Sequence, residues 1–274
     1  MKSLTPITPT HQTAFVMVQL SDFHLTGRIG QSPSYQRFLQ VLQMAATLQP
    51  DLFICTGDLV NDGNSDAYDW LFEMLQRTGT PYLAIAGNHD VTHEIGTGLP
   101  YEKRLHIPIA PDIRLLNCHR QLVGTHHDWQ LLLLDSSVGG ETYGKLSAAT
   151  LSWLDTTLAN SPLPAIIALH HHPGPVGSAW IDAYQLANAT DFWQIIQKHC
   201  HAHTIICGHV HQVQHLQPLA HHSVQLLSCP STDRQFAPLI DEFTLDNQPA
   251  GCRVIQIDNT GVLSSYIKRM QNTH

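Results

Sequence analysis

Five times along this chain an apolar run ends directly in side chains of the kinds that bind metal ions. Asp22-Phe23-His24 follows residues 16–20, and Gly57-Asp58-Leu59-Val60-Asn61-Asp62 follows residues 52–55. Gly87-Asn88-His89-Asp90 follows residues 83–86. His170-His171-His172-Pro173 follows residues 166–169, and Gly208-His209-Val210-His211 follows residues 204–207. Residues two apart in an extended chain project to the same side, so Asp22 with His24, and His209 with His211, can grip one ion. Three adjacent histidines, by contrast, cannot all face one site. A Gly-Asn pair is first a turn signal, but a turn does not require the His-Asp that follows it. Taken singly, each segment reads as a solvated loop. Five at successive strand ends read as one metal-binding site, because ligands on α/β sheets gather where strands run into loops.

The elements that position these residues follow from hydrophobic periodicity. The β-type runs are 15–20, 51–55, 82–86, 129–134, 166–169 and 204–207, with a β-rich end at 224–227, 254–257 and 262–267. Between them lie helical patterns. One starts at Ser32-Pro33 and carries Phe38, Leu39, Leu42, Ala45 and Ala46. A second is capped by Asn64 or Ser65 and carries Tyr68, Leu71, Phe72 and Leu75. Residues 146–158 and 192–196 supply two more, whereas 91–112 is rich in Gly, Pro and His and reads as irregular. Strand–helix alternation with a β-rich end predicts two packed sheets with helices outside.

Composition narrows the function. The net charge of −8 disfavours a long nucleic acid, which needs Lys and Arg to neutralise its phosphates. No apolar run approaches the ~18 residues that span a bilayer. Residues 1–10 lack the apolar core of a signal peptide, so residues 1–14 are expected to be a loose leader on a cytoplasmic protein with no membrane partner. The six cysteines form no CxxC pair, and Cys55, Cys207 and Cys229 read as reduced core residues.

The five motifs in this order resemble the signature of the binuclear metallophosphoesterases of the calcineurin-like superfamily. The resemblance implies an α/β fold, a four-layer α-β-β-α sandwich with two mixed sheets, as one domain over residues 1–274. It implies that Asp22, His24, Asp58 and His211 hold one divalent metal ion. Asp58, Asn88, His171 and His209 would hold the other, with Asp58 bridging. In this family the ligand histidine lies two residues before the proline, which selects His171 and leaves His170 and His172 flanking. Further stretches resemble the bacterial class III cyclic AMP phosphodiesterases. They are Gly144-x-Leu146, Ser178-x-Trp180-x-Asp182, Leu186-x-Asn188, Pro230-Ser231-Thr232, Gln235-Phe236-x-Pro238, Phe243-Thr244-Leu245-Asp246 and Pro249-x-Gly251. The resemblance covers nearly all of the chain after residue 15. The segment between His24 and Tyr35 departs from it, being shorter and without the expected Gly-Val-Asn-Thr.

The activity so implied is hydrolysis of 3',5'-cyclic AMP to 5'-AMP by a metal-bridging hydroxide. Two ions about 3.5–4 Å apart can bind the phosphodiester oxygens and acidify the water between them. Mixed nitrogen and oxygen donors suit Mn, Fe, Zn or Ni better than Ca or Mg, and the resemblance favours iron and manganese. His89 is expected to be catalytic and not a ligand. As an imidazolium it would stabilise charge on the phosphoryl group and protonate the leaving 3'-oxygen, oriented by Asp62 or Asn61. Asn88 and His89 are the expected substrate contacts. Asp62 stands where the Ser/Thr phosphatase relatives carry a phosphate-clamp arginine, which favours diesters over monoesters. Trp180, Asp182 and Asn188 line a base pocket or support the His171 loop, and for Trp180 plain packing in the core is a third reading. Two other functions fit the same motifs: a broader phosphodiesterase acting on glycerophosphodiesters or 2',3'-cyclic nucleotides, and a non-catalytic scaffold of the same fold.

Overall fold

Runs of aliphatic residues form the strands, and each alternates its side chains between two apolar environments. The structure is a computed structural model describing residues 7, 9, 13–126, 128–220 and 223–271. In chain order the elements are β1 (Ala14–Leu20), α1 (Pro33–Ala46), β2 (Leu52–Thr56), α2 (Ser65–Arg77), β3 (Tyr82–Ile85), β4 (Thr92–Ile95) and β5 (Leu105–Pro108). Next come β6 (His119–Val123), β7 (Trp129–Leu133), α3 (Ala148–Ala159), β8 (Ala165–Ala168), α4 (Ala179–Asp182), α5 (Ala189–Lys198) and β9 (Ala202–Cys207). The chain closes with β10 (His215–Leu216), β11 (Gln225–Ser228), β12 (Gln235–Phe236), β13 (Leu245–Asp246), β14 (Gly251–Asp258) and β15 (Leu263–Arg269).

The first sheet has the order β15-β14-β1-β2-β3 and the second β10-β11-β9-β8-β7-β6. Each is mixed. Strands β1, β2 and β3 run parallel, as do β7, β8, β9 and β11, while β14 and β15 add antiparallel to one side of the first sheet and β10 and β6 are the antiparallel edges of the second. Phe15, Met17, Leu52 and Ile54 of the first sheet meet Leu131, Leu133, Ile166 and Ile206 of the second in a core between the sheets. The alternate residues face helices. Val16, Val18 and Phe53 pack with Phe38, Tyr68 and Leu71 of α1 and α2. Leu132, Ile167 and Ile205 pack with Leu154, Leu158 and Phe192 of α3 and α5. This is the expected α-β-β-α sandwich. Strands buried on both faces explain why their sequences read as continuous apolar runs.

Polar bridges pin the sheets together. Gln19 on β1 donates from Nε2 to Thr56 Oγ1 and to the Cys207 carbonyl, both at 3.0 Å. The buried Arg253 on β14 donates to the Ser228 and Gln214 carbonyls across the sheets. Asn64 caps α2 by accepting from the Ala67 amide at 3.1 Å, whereas Ser32 precedes α1 without a side-chain cap.

Several expectations are revised. Residues 91–112 contain the β4–β5 hairpin, whose short strands carry too few apolar residues to signal themselves. Strand β6 and the two-residue strands were not legible, and α3 begins at Ala148, two residues later than expected. The leader expectation lies mostly outside the described residues. Within it, Ala14 opens β1, and Ile7 packs partly buried against the core between the sheets. Cys55, Cys207, Cys229 and Cys252 are buried and unpaired as disulfides. No helix among the described residues is long and apolar enough to cross a membrane.

Truncating the core between the sheets should cost far more than removing a cap. Ile54→Ala should lower stability by about 2–5 kcal/mol, and Asn64→Ala by about 1 kcal/mol. Urea denaturation of both variants beside the parent checks the order.

Candidate metal centre

The site is built where β1, β2, β3, β8 and β9 give way to loops. Backbone bonds zip the first two loops together: the Asp22 amide donates to the Gly57 carbonyl, and those of Phe23 and His24 to the Asp58 carbonyl. The Gly208 amide donates to the His170 carbonyl, joining the loops after β8 and β9. Asp22, His24, Asp58, His209 and His211 all have positive φ, between 48° and 67°. Side chains other than glycine avoid this region, at about 1–3 kcal/mol each, and such strain concentrates at functional sites.

Asp90 locks the third loop to the second. Its buried carboxylate accepts from the Leu59, Val60 and Gly87 amides and from the Tyr68 hydroxyl, the last at 2.6 Å. Burial, with Asp58 nearby, pushes its pKa up to about 6. Gly87 is the residue it holds, and a Cβ there would fall onto the Asp58 carboxylate and the His170 ring.

Hydrogen bonds set the ring orientations. His24 Nδ1 meets Asn61 Oδ1 at 2.7 Å, and His211 Nδ1 meets the Arg234 carbonyl at 2.7 Å. The two Nε2 atoms then face each other 3.1 Å apart. His211 Nε2 also lies 3.3 Å from Asp22 Oδ1. Asp22 Oδ2, Asn88 Oδ1 and His209 Nε2 are buried with no hydrogen-bond partner. Buried polar atoms without partners are unfavourable, and a cation beside them satisfies them.

Electrostatics divide the rings: burial alone would lower all of them, but Asp22 raises His211 and Asp58 pushes His170 up to about 9. Burial pushes His24 down to about 4, helped by His89 and His211. Burial likewise holds His171 and His209 well below the ordinary imidazole value. Neutral imidazole is the form that binds metal. Burial alone would raise the Asp22 and Asp58 carboxyls, but the neighbouring imidazoles outweigh it and hold both down as carboxylates.

Sets of donor atoms within 4.8 Å of one another comprise Asp22, His24 and His211 on one side and His170, His171 and His209 on the other. Asp58 is near both, grouped with His24 and His89 and again with Asp22 and His170. His170, expected to flank the site as a buried or outer residue, is fully buried beside the cluster. Its Nε2 lies 3.3 Å from Asp58 Oδ2, while Nδ1 meets the Thr56 carbonyl. Two of the three adjacent histidines therefore reach the cluster, and His172 turns to Asp182 at 3.3 Å. His171 is held by Ser136 Oγ at 2.9 Å and the Thr142 carbonyl at 3.1 Å. Gly144 lacks the Cβ that would collide with its ring.

His89 is also oriented differently from expectation. Asn61 is committed to His24, and Asp62 accepts from the Gly27 and Asn64 amides. The carboxylates beside His89 are Asp58, 4.0 Å from Nε2, and Glu94, 3.9 Å from Nδ1. Glu94 is held in turn by Arg104 at 3.0 Å. Both lie on the β4–β5 hairpin region that the sequence left irregular, so no pattern announced them. Asp182 accepts from the Val176 and Gly177 amides, and Asn188 bonds Leu146 through both its amide atoms. These two residues support loops, whereas Trp180 lines the pocket above the cluster.

Comparison with known proteins agrees with this architecture. Residues 15–213 match the family model described as calcineurin-like phosphoesterase. A protein of Moraxella catarrhalis named probable cyclic nucleotide phosphodiesterase is 63% identical over 97% of this chain and 96% of its own length. The Escherichia coli K12 protein named 3',5'-cyclic adenosine monophosphate phosphodiesterase CpdA is 31% identical over 100% of this chain and 96% of its own. Among solved structures, a dimetal phosphatase from Danio rerio superposes with a TM-score of 0.57 at 14% identity, covering 97% of this chain and all of that one. A purple acid phosphatase from yellow lupin reaches 0.65 at 14% identity, over 97% of this chain and 52% of its own. A family match over residues 15–213, carried on a sandwich that gathers aspartates and histidines at its strand ends, means that this chain belongs to the calcineurin-like phosphoesterases.

Proposed function

We propose that this protein hydrolyses 3',5'-cyclic AMP to 5'-AMP. A pocket of about 710 Å³ carries the reading, because His24, Asp58, Asn88, His209 and His211 all line it. That volume suits a small-molecule site, and the net charge of −8 does not suit a polyanion. Relatives named for cyclic nucleotide hydrolysis match essentially the whole chain, which supports the substrate class.

Asp22, His24, Asp58 and His211 would hold one divalent ion, and Asp58, Asn88, His171 and His209 the other. Their mixed donors suit iron or manganese, and zinc also fits. Bound there, the ions supply Lewis-acid polarisation of the phosphoryl group and activation of water. The chain's own groups do the rest. Asn61 and the Arg234 carbonyl keep the Nε2 atoms of His24 and His211 turned inward. Asn88 and His89 contact the phosphodiester. The His89 ring, set between Asp58 and Glu94, delivers a proton to the leaving 3'-oxygen. No arginine clamps the phosphoryl group at position 62, since Asp62 is turned to the Gly27 and Asn64 amides, an arrangement that favours a monoanionic diester. A non-catalytic scaffold would not need His24, Asp58, Asn88, His209 and His211 gathered at a pocket.

Manganese-loaded protein should convert cyclic AMP to 5'-AMP with a higher kcat/KM than for glycerophosphodiesters, 2',3'-cyclic nucleotides or 4-nitrophenyl phosphate. Faster turnover of one of these alternatives would reassign the substrate, and release of 3'-AMP would contradict the leaving group.

Asp58 and His89 should separate by metal content. Asp58→Asn should lose most activity and at least one metal. His89→Ala should keep both while kcat falls by about 10²-fold or more. Elemental analysis beside steady-state kinetics decides, and metal loss from His89→Ala would make His89 a ligand.

The three adjacent histidines give a sharper test. His171→Ala should lose metal and activity together, and His170→Ala and His172→Ala should keep more of both. Metal loss confined to His170→Ala would move the ligand to the ring that already faces Asp58.

A further inference from the structure

We propose that Trp180, Phe236 and Phe243 form a stacking wall that takes the base of the nucleotide and reads its face instead of its edge. The proposal rests on the phosphodiesterase reading for the phosphate end of the molecule and adds a site for the other end. Trp180 lies edge-on to Phe236 at 5.0 Å between ring centroids, with planes 74° apart, and to Phe243 at 5.1 Å and 86°. Phe236 and Phe243 are 5.3 Å apart at 69°. Rings in edge-to-face contact do not consume all of one another's faces, and those faces are what a planar base can stack on. Phe243 remains 61% exposed, a large apolar ring left open at the pocket it lines.

The wall is continuous with the candidate metal cluster. The Phe236 ring stacks on the His211 imidazole, with centroids 4.0 Å apart and planes 8° apart. Its mounting is equally direct. The Phe236 amide donates to the His211 carbonyl, and the Ala237 amide to the Thr244 carbonyl, which closes the β12–β13 hairpin beside Phe243. Trp180 sits in α4, whose Asp182 grips the Val176 and Gly177 amides and meets His172. Both halves of the wall therefore hang from loops that carry candidate ligands.

The chemistry of the wall selects a base and tolerates its identity. Beside the polar residues Tyr101, Arg104, Thr142 and Tyr184, the pocket is lined by Trp180, Ile181, Ala183, Phe236 and Phe243. The only side-chain hydrogen-bonding atom of these last five is Trp180 Nε1, which is buried without a partner. A single donor cannot match the different donor and acceptor patterns of adenine and guanine, whereas stacking is available to every base.

The test compares cyclic AMP with an abasic ribose 3',5'-cyclic phosphate on the manganese-loaded protein. The ratio of their kcat/KM values should favour cyclic AMP by about ten-fold or more. Trp180→Leu and Phe243→Leu should each lower that ratio by about ten-fold. Cyclic GMP should be turned over within about ten-fold of cyclic AMP. Ratios unchanged in both variants, or rejection of cyclic GMP by a hundred-fold, would overturn the wall. A binding arm separates this outcome from failure of the hydrolytic reading. Calorimetry should show 5'-AMP bound more tightly than inorganic phosphate, with the difference shrinking in Phe243→Leu. Protein that binds 5'-AMP in this way yet leaves cyclic AMP intact would refute the activity and keep the base site; equal binding of the two would refute the wall.

Discussion

Two buried carboxylates, Asp22 and Asp58, sit among histidine rings whose free nitrogens point at one another and at them. That crowding is the constraint on which the rest of the molecule depends. Without a cation, Asp22 Oδ2, Asn88 Oδ1 and His209 Nε2 are buried without partners, an arrangement that costs several kcal/mol. The same atoms are the candidate donors for cations in the centre proposed above. The left-handed backbone at Asp22, His24, Asp58, His209 and His211 adds further strain. Such a site persists only where a rigid surround over-determines it.

The surround is the sandwich. Its strands are buried on both faces, so their ends cannot drift without opening one of the apolar layers. Gln19 and Arg253 cross between the sheets, and Asp90 ties the loops after β2 and β3. Ring orientation is then set by groups behind the histidines: Asn61 for His24, the Arg234 carbonyl for His211, and Ser136 for His171. Outer partners of this kind decide which nitrogen faces the ion and how basic it is. The Gly87 and Gly144 positions complete the cage by leaving room where a methyl group would collide with Asp58 or His171.

The small elements have a different task. The β4–β5 hairpin region brings Glu94 and Arg104 beside His89, and the β12–β13 hairpin brings Phe236 and Phe243 over His211. Neither hairpin belongs to the two main sheets. The sandwich fixes the cluster, and appended hairpins shape what can approach it, so the walls can vary without disturbing the donors.

The sequence by itself determined the architecture and the inventory of donors. Long apolar runs announced the central strands because burial on both faces demands them. The five polar motifs stood at strand ends because only there can a buried sheet deliver ligands into a shared cleft. It did not reveal the β4–β5 hairpin, since short half-exposed strands leave no periodic trace, nor Glu94 beside His89, since that contact joins separate loops. The sequence nominated Asn61 or Asp62 to orient His89, but the fold spends the first on His24 and the second on backbone amides. The family resemblance chose His171 over His170 by its place before Pro173, and it could not say what His170 touches. In the structure the chain bends after β8, and His170 reaches Asp58 while His171 remains in the cluster. Which side chain meets which is a matter of loop curvature and of contacts between distant segments, and those exist only once both sheets have packed.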